Sequence, residues 1–360
     1  MKRFDGKPVV ISGKGAVSAL KELGAKRLLV VTDSYFFENG VAQRVAMASG
    51  AEQIQYFYKI QPDPSVELAA EGTAEMREFM PDTLVALGGG SVMDCAKAML
   101  YFSGLQVRFA AIPTTSGSGS EVTDFAILTH KGIKHPLVDS RLRPEYAILD
   151  SELLEQLPRK LVADTGFDVL SHALEAFVAT DGSMITDALA KEAFGTVYAN
   201  LGASYGGNQQ VRLKIHTAAT MAGMAFTQAG LGLCHAMAHA LGGMFHVPHG
   251  RLNAILLPAV IQCNSYSAAD RYARIAEAAG IGSSAKSVAV RNLKNGLIRL
   301  RRELDMPDTL MAAGINPGQV MFKTKELVQA VLSDPCCKTN PIRPEEFMVR
   351  RILEEVTGRG

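Results

Sequence analysis

Four of the eight histidines in this 360-residue chain, His235, His239, His246 and His249, fall between positions 235 and 249. His235 and His239 are four apart in GLCHAMAHALGG, so a helix places them on one face, and His249 follows in the turn VPHG. Asp168 and His172 repeat the spacing in DTGFDVLSHALEAF. One imidazole on an apolar face is ordinarily a satisfied core residue. Two i, i+4 pairs of ligand-type residues in one apolar helical region point instead to a bound metal. Carboxylate and imidazole without thiolate suit Fe(II), Zn(II) or a similar borderline divalent cation. The H-x-x-x-H at 235–239 does not make a metalloprotease, which needs a Glu directly after the first His as base; position 236 is Ala.

A second group of residues suits phosphate and ribose. Gly88-Gly89-Gly90-Ser91 follows an apolar run and precedes MDCAKAMLYF. Glycines there let backbone approach a ligand, and the N–H groups of the first helical turn favour an anion such as a pyrophosphate. The stretch is neither the dinucleotide fingerprint G-x-G-x-x-G nor a P-loop, and an unliganded Gly-rich turn has the same sequence. The loop from Thr114 to Ser120, TTSGSGS, offers hydroxyl and N–H donors at another strand end. Asp33 ends the run RLLVVTD. A carboxylate there accepts hydrogen bonds from a ribose diol and repels a 2′-phosphate; an Asp that merely caps a helix reads identically.

The elements that must position these residues fall into two textures. RLLVVTD (27–33), TLVALGGGS (83–91) and RFAAIPTTS (108–116) are continuous apolar runs that empty into polar or Gly-rich loops, as strands covered on both faces do. Helical spacing in PSVELAAEGTAEMREFM separates them, and ILTHKGIKHPLV (127–138) reads as a hairpin turning at Lys131-Gly132. From about Leu157 strand signals nearly vanish and Ala-, Leu- and Met-rich helical segments dominate. The expected fold is an α/β dinucleotide-binding domain with a doubly wound parallel sheet (1–157), followed by an all-α metal-binding domain (158–360). The cleft between them is the default active site.

Composition narrows the function classes. Lys plus Arg (37) balance Asp plus Glu (36), so no net field draws the chain to nucleic acid or anionic lipid. No stretch approaches the roughly 18 apolar residues of a membrane span, and the start lacks the apolar region of a signal peptide. Five cysteines without repeated spacing argue against a disulfide framework, and the vicinal pair Cys336-Cys337 reads as two ordinary thiols. A cytoplasmic location is expected.

A nucleotide-type sheet joined to metal-ligating helices suggests hydride transfer from an alcohol whose oxygen the metal polarises. GGGSVMD, IPTTSGSGSEVT, DTGFDVLSHALEA and GLCHAMAHALGGMFHVPHG resemble, in order, the signature stretches of the iron-containing (group III) alcohol dehydrogenase family. The short segment between GGGS and IPTTSG, and GIKHP, are similar to the propanol and ethanol dehydrogenases found with bacterial microcompartments. The resemblance implies metal ligands Asp168, His172, His235 and His249, with His239 beside nicotinamide and substrate as catalytic residue. It implies NAD contacts at Asp33, Gly89, Gly90, Ser91, Thr114, Thr115, Ser118, Thr123 and Lys134. The expected cation is Fe(II), with Zn(II) the alternative. The substrate would be a short primary alcohol, diol or the matching aldehyde. The protein would form a homodimer or larger homo-oligomer, with microcompartment components as further partners. Two features depart from the family pattern: Pro62-Asp63-Pro64 stands where P-N-P is common, and Cys234 precedes His235. The competing functions are a metal-dependent lyase or hydrolase on the related dehydroquinate synthase scaffold, which would need no nicotinamide, and a non-catalytic binding protein, which would tolerate loss of metal and nucleotide alike.

Overall fold

The structure, a computed structural model, describes residues 4–130 and 133–358, and the chain divides between Leu157 and Pro158 into two compact units. The first unit runs through β1 (Val9–Gly13), β2 (Arg27–Asp33), α1 (Ser34–Glu38), α2 (Val41–Ala48), β3 (Gln53–Ile60), α3 (Val66–Phe79), β4 (Thr83–Gly88), α4 (Gly90–Ser103), β5 (Arg108–Pro113), β6 (Phe125–His130), β7 (Ile133–Val138) and β8 (Tyr146–Asp150). Six of the strands form one parallel sheet in the order β1-β8-β5-β4-β2-β3, while β6 and β7 pair antiparallel. The expected turn of that hairpin at Lys131-Gly132 lies outside the described residues.

The continuous apolar runs exist because the sheet is covered on both faces. Along β2 and β4, Leu29, Val31, Leu84 and Ala86 pack with Met76, Val92 and Met99 of α3 and α4. Their neighbours Leu28, Val30, Val85 and Leu87 pack on the other face with Leu20, Val45 and Ala46. Each such side chain contributes about 1.5–3 kcal/mol by leaving water. Two strands were not legible as such in the sequence: QIQYFYKI (β3), exposed along part of its length, and the short YAILD (β8).

The topology fixes where a ligand can sit. From β2 the chain steps outward to β3 and then returns across β2 to β4, so the winding reverses between β2 and β4. Open α/β sheets bind ligands at the carboxyl ends of strands flanking such a reversal. Those ends carry Asp33 and the Gly88–Ser91 turn. Gly88 is required there, because a Cβ would come within 2.5 Å of Val92 Cγ2.

The second unit contains α5 (Arg159–Val178), α6 (Met184–Tyr205), α7 (Arg212–Ala229), α8 (Leu233–Phe245), α9 (His249–Ala278), α10 (Lys286–Glu303), α11 (Pro317–Phe322), α12 (Thr324–Ser333) and α13 (Glu346–Thr357). α5 is its central helix, packed against α6, α7 and α9 and buried almost continuously from Val162 to Val178. α9 starts unusually close to it: a Cβ on Gly250 would lie 1.9 Å from the carbonyl oxygen of Asp164. Arg251 grips the Asp164 carboxylate through Nε (3.1 Å) and Nη2 (2.7 Å) in a bidentate pair that locks the approach. Among the described residues no helix is long and apolar enough to cross a membrane.

Candidate active site

Three helices of the second unit bring the ligand-type residues together. The middle of α5 supplies Asp168 and His172, the first turn of α8 supplies His235, and His249 opens α9. One donor atom from each of Asp168, His172 and His235 lies within 4.8 Å of the others. His249 joins from the more exposed side, its Nε2 3.6 Å from Asp168 Oδ1. The glycine at position 250 makes this possible, since the first turn of α9 could not otherwise reach the Asp164–Asp168 turn of α5. His246, the fourth histidine of the sequence cluster, takes no part. It is exposed and ends α8 in a left-handed conformation at φ 55°.

The donor set fits a divalent cation on its chemistry. His235 is 1% exposed, and burial, reinforced by His172 and His239, holds its imidazole well below the usual histidine range. It is therefore a neutral ring with one lone pair to offer. Glu175 decides which nitrogen offers it: Oε2 accepts from His235 Nδ1 at 2.7 Å, leaving Nε2, 3.9 Å from Asp168 Oδ1, as the nitrogen that could meet a cation. Glu175 also accepts from the backbone N–H groups of Gly232, Cys234 and His235, serving as the anionic cap that α8 otherwise lacks. Burial nevertheless pushes its carboxyl up to about 7. Gly232 admits it, because a Cβ there would lie 2.8 Å from Glu175 Oε1. Asp168 is steadied by Asn253 Nδ2, which donates to its Oδ1 at 2.9 Å. Cys234 only packs: it is fully buried, its sulfur is 3.5 Å from Asn253 Oδ1, and burial holds the thiol protonated.

His239, one turn along α8, is partly exposed and stacks on His249 with ring centroids 5.1 Å apart. Its Nδ1 faces Asp334 Oδ2 at 2.9 Å, and the other oxygen of Asp334 accepts from the N–H of Cys336 at 2.8 Å. The carboxylate thus fixes the tautomer with a proton on Nδ1 and leaves Nε2 free to accept one.

In the first unit the glycine turn and the Thr114–Ser120 loop abut. Thr114 N–H donates to Gly88 O at 3.1 Å. A Cβ on Gly89 would lie 3.3 Å from Thr115 Oγ1, and one on Gly90 3.3 Å from Ser118 Cβ. α4 begins at Gly90 with Ser91 in its first turn and no side-chain cap, so its leading N–H groups remain for an anion. Asp33 caps α1, Oδ1 accepting from Phe36 N–H at 3.0 Å, so the carboxylate at the end of β2 is held in place. Thr123 is fully buried and its hydroxyl accepts from Lys97 Nζ at 2.8 Å. The ammonium of Lys134 pairs with Asp63 at 2.7 Å. The Asp of Pro62-Asp63-Pro64 thus gains a salt bridge, in a left-handed conformation (φ 55°) that Asp and Asn tolerate best.

Sequence reasoning missed Glu175, Asp334 and Lys97. Glu175 follows Asp168 by seven and His172 by three, a helical-face signal that was available. Lys97 stands three after Asp94 inside the apolar helix α4, an unusual place for two charges. Asp334 had no local signal, since it reaches His239 from ninety-five residues away.

Both units match models of one protein family. The family model for iron-containing alcohol dehydrogenase matches residues 8–151, and that for the C-terminal part of the Fe-containing alcohol dehydrogenase family matches residues 162–357. The chain is 40% identical to 1-propanol dehydrogenase PduQ of Salmonella typhimurium, covering 99% of this chain and 100% of that protein. It is 37% identical to an NADPH-dependent butanol dehydrogenase of Clostridium saccharobutylicum, covering 98% and 97%. The solved structure of an iron-containing alcohol dehydrogenase from Thermococcus thioreducens superposes with a TM-score of 0.90 at 32% identity, covering 98% of this chain and 99% of that one.

Proposed function

This chain belongs to the iron-containing alcohol dehydrogenase family, and we propose that Asp168, His172, His235 and His249 hold its cation while the Gly88–Ser91 and Thr114–Ser118 loops hold its nicotinamide cofactor. It is an oxidoreductase that interconverts short-chain alcohols and aldehydes with a nicotinamide cofactor. When bound, the cation supplies Lewis-acid polarisation of the substrate oxygen and the nicotinamide supplies the hydride acceptor or donor. The three-imidazole, one-carboxylate donor set supports Fe(II) as the working metal, with Zn(II) chemically compatible.

The observation that carries the reading is the convergence of Asp168, His172 and His235 within 4.8 Å, with Glu175 fixing the free nitrogen of His235. The residues then divide the work. Asp168 and the imidazoles would hold the cation, which would polarise the substrate oxygen. His239 accepts the departing hydroxyl proton at Nε2 and passes it to solvent, which its partial exposure permits. Asp334 is a positioning residue that orients the ring through Nδ1 and balances the charge when Nε2 takes the proton. The backbone donors of the glycine turn and α4 orient the pyrophosphate, and Asp33 receives the ribose diol of NAD. Ala236 and Ala240 keep α8 slim beside its histidines, consistent with short substrates such as ethanol, propanol or a small diol. We further read the chain as a homo-oligomer working in the cytoplasm, within a microcompartment where its host builds one.

The test is NADH oxidation with a panel of short aldehydes, using metal-free protein reconstituted separately with Fe(II) and Zn(II), beside His172→Ala and His249→Ala. We expect activity with two- to four-carbon aldehydes, higher with Fe(II), and loss of both stoichiometric metal and turnover in either variant. Wild-type metal content in a variant would remove that residue from the ligand set, and retained metal without aldehyde-dependent NADH oxidation would overturn the reaction assignment.

A further inference from the structure

Cys336 has no part in the reaction above, yet its sulfur lies with a ring nitrogen of His239 and a carboxylate oxygen of Asp334, all within 4.8 Å of one another. All three residues are partly exposed. The ligands come from two well-formed segments. α8 carries His239, and the 3₁₀ turn Pro335–Thr339, capped by Asp334 itself, carries Cys336. The adjacent thiol is turned away, Cys337 Sγ donating to Val331 O at 3.0 Å. The pair read from sequence as two equivalent thiols is therefore divided, and only Cys336 faces the nitrogen and oxygen donors.

We propose that His239, Asp334 and Cys336 form a second, inhibitory site for a thiophilic divalent cation, Zn(II) foremost. Nitrogen, oxygen and sulfur donors with water in the fourth position make a tetrahedral zinc shell. With Zn–N and Zn–O about 2.0 Å and Zn–S about 2.3 Å, tetrahedral geometry needs donor separations of roughly 3.3–3.5 Å, so the His239–Asp334 pair, at 2.9 Å, opens by a few tenths of an ångström and the sulfur, within 4.8 Å of both, closes by about 1.3 Å at most. The presence of sulfur separates this site chemically from the nitrogen and oxygen set at Asp168, which suits Fe(II) equally well.

Binding is balanced as follows. The Cys336 thiol gives its proton to water and becomes the thiolate ligand. His239 exchanges its Nδ1 proton for the metal and takes up one at Nε2, remaining neutral, and Asp334 stays ionised. One proton is released per cation. The His239–Asp334 hydrogen bond is lost, and Nε2 now carries a proton and cannot accept the one that leaves the alcohol. Occupation of the site therefore stops turnover without displacing the resident metal. The binding claim is independent of the proposed role of His239; only the inhibitory consequence rests on it.

The holoenzyme is titrated with Cd(II), whose bond to a thiolate gives a charge-transfer absorption in the ultraviolet, read as a difference spectrum, while activity and resident metal are followed in parallel; Zn(II) inhibition is measured alongside. The expected result is an absorption that saturates at one equivalent, a matching loss of activity, and unchanged resident metal. Cys336→Ser keeps its basal activity, loses the absorption, and needs at least about 10-fold more Zn(II) for half-inhibition, since even outer-shell changes weaken metal sites by that much. No absorption in the wild type, or the same absorption in Cys336→Ser, overturns the site. Inhibition that tracks loss of the resident metal also overturns it. Absorption with undiminished turnover upholds the site and overturns the proton-accepting role of His239.

Discussion

Glu175 Oε2 and His235 Nδ1 lie 2.7 Å apart, deep in the second unit, and this contact leaves Nε2 as the nitrogen of His235 that could meet a cation. A carboxylate suits the place because the same group accepts three backbone N–H groups at the start of α8. Glu175→Gln would turn an amide N–H₂ toward at least one of these donors. Loss of such a partner typically weakens metal binding by about 10–100-fold. We therefore expect Glu175→Gln to need correspondingly more free Fe(II) for half-maximal activity, with kcat largely restored at saturation. Metal-buffered titrations give the answer; an unchanged metal dissociation constant would show that Glu175 serves only as a helix cap.

His239→Ala should keep its metal and lose about 10²–10⁴-fold in kcat, the usual contribution of a positioned acid–base group. Asp334→Ala should lower kcat less, with little change in KM, because it acts through His239. The two changes should be strongly non-additive: in a His239→Ala background, removing Asp334 should cost almost nothing further. Steady-state kinetics on the four proteins of the cycle, with metal content checked in each, decides it. Additive losses would separate Asp334 from the proton path, and metal loss in His239→Ala would make His239 a ligand.

Which parts of this were readable in the sequence follows from the range of the interactions. RLLVVTD, TLVALG and RFAAIP became strands because two buried faces leave a run with no polar alternation. The spacing of Asp168 with His172 survives folding because both lie on one helix. The histidine count between 235 and 249 does not by itself show which rings face the site, since His246 is placed by a left-handed helix end that residue counting cannot see. The pairing of Asp334 with His239, and of Asp63 with Lys134, joins distant segments and leaves no periodic trace. Asp33 is the intermediate case: the structure shows its capping bond, which also fixes the carboxylate at the end of β2.

Lys97 offers a test of the first unit's construction. It is fully buried, and its ammonium donates to Ser120 Oγ, Thr123 O, Thr123 Oγ1 and Phe125 O at 2.8–3.1 Å, tying α4 to the loop before β6. Lys97→Met leaves those acceptors unpaired and Asp94 without its cation, and should destabilise the protein by about 3–5 kcal/mol, the usual consequence of breaking a buried charge pair. Burial pushes Lys97 down to about 8 from 10.5. Between those values the unfolded chain binds more protons than the folded one, so this group makes stability rise with pH across that window, by on the order of 3 kcal/mol in full. Below about pH 8 both states are protonated and the burial penalty is complete. Urea midpoints of wild type and Lys97→Met at pH 8 and pH 10 should therefore diverge as pH rises. Parallel curves would mean that Lys97 stays charged throughout.

The last prediction concerns Asp33 and cofactor choice, where one relative is named for NADPH dependence. Asp33 stands at the carboxyl end of β2, at the point where the sheet's winding reverses, with Oδ1 committed to the Phe36 N–H. A carboxylate held there accepts hydrogen bonds from the 2′- and 3′-hydroxyls of NAD and faces roughly two negative charges if NADP binds instead. Two unit charges ~4 Å apart repel by about 4 kcal/mol at the intermediate dielectric of a protein surface. The wild type should therefore prefer NAD by a large factor. Asp33→Gly removes the repulsion, and because glycine is itself an acceptable helix cap, α1 should lose only a few tenths of a kcal/mol. The variant should gain chiefly in kcat/KM for NADP, with a smaller loss for NAD. Both ratios are measured at fixed alcohol and ionic strength, since the repulsion is screened by salt. Equal use of the two cofactors by the wild type would end the argument, and an unchanged ratio in Asp33→Gly would leave Asp33 as the cap of α1 and nothing more.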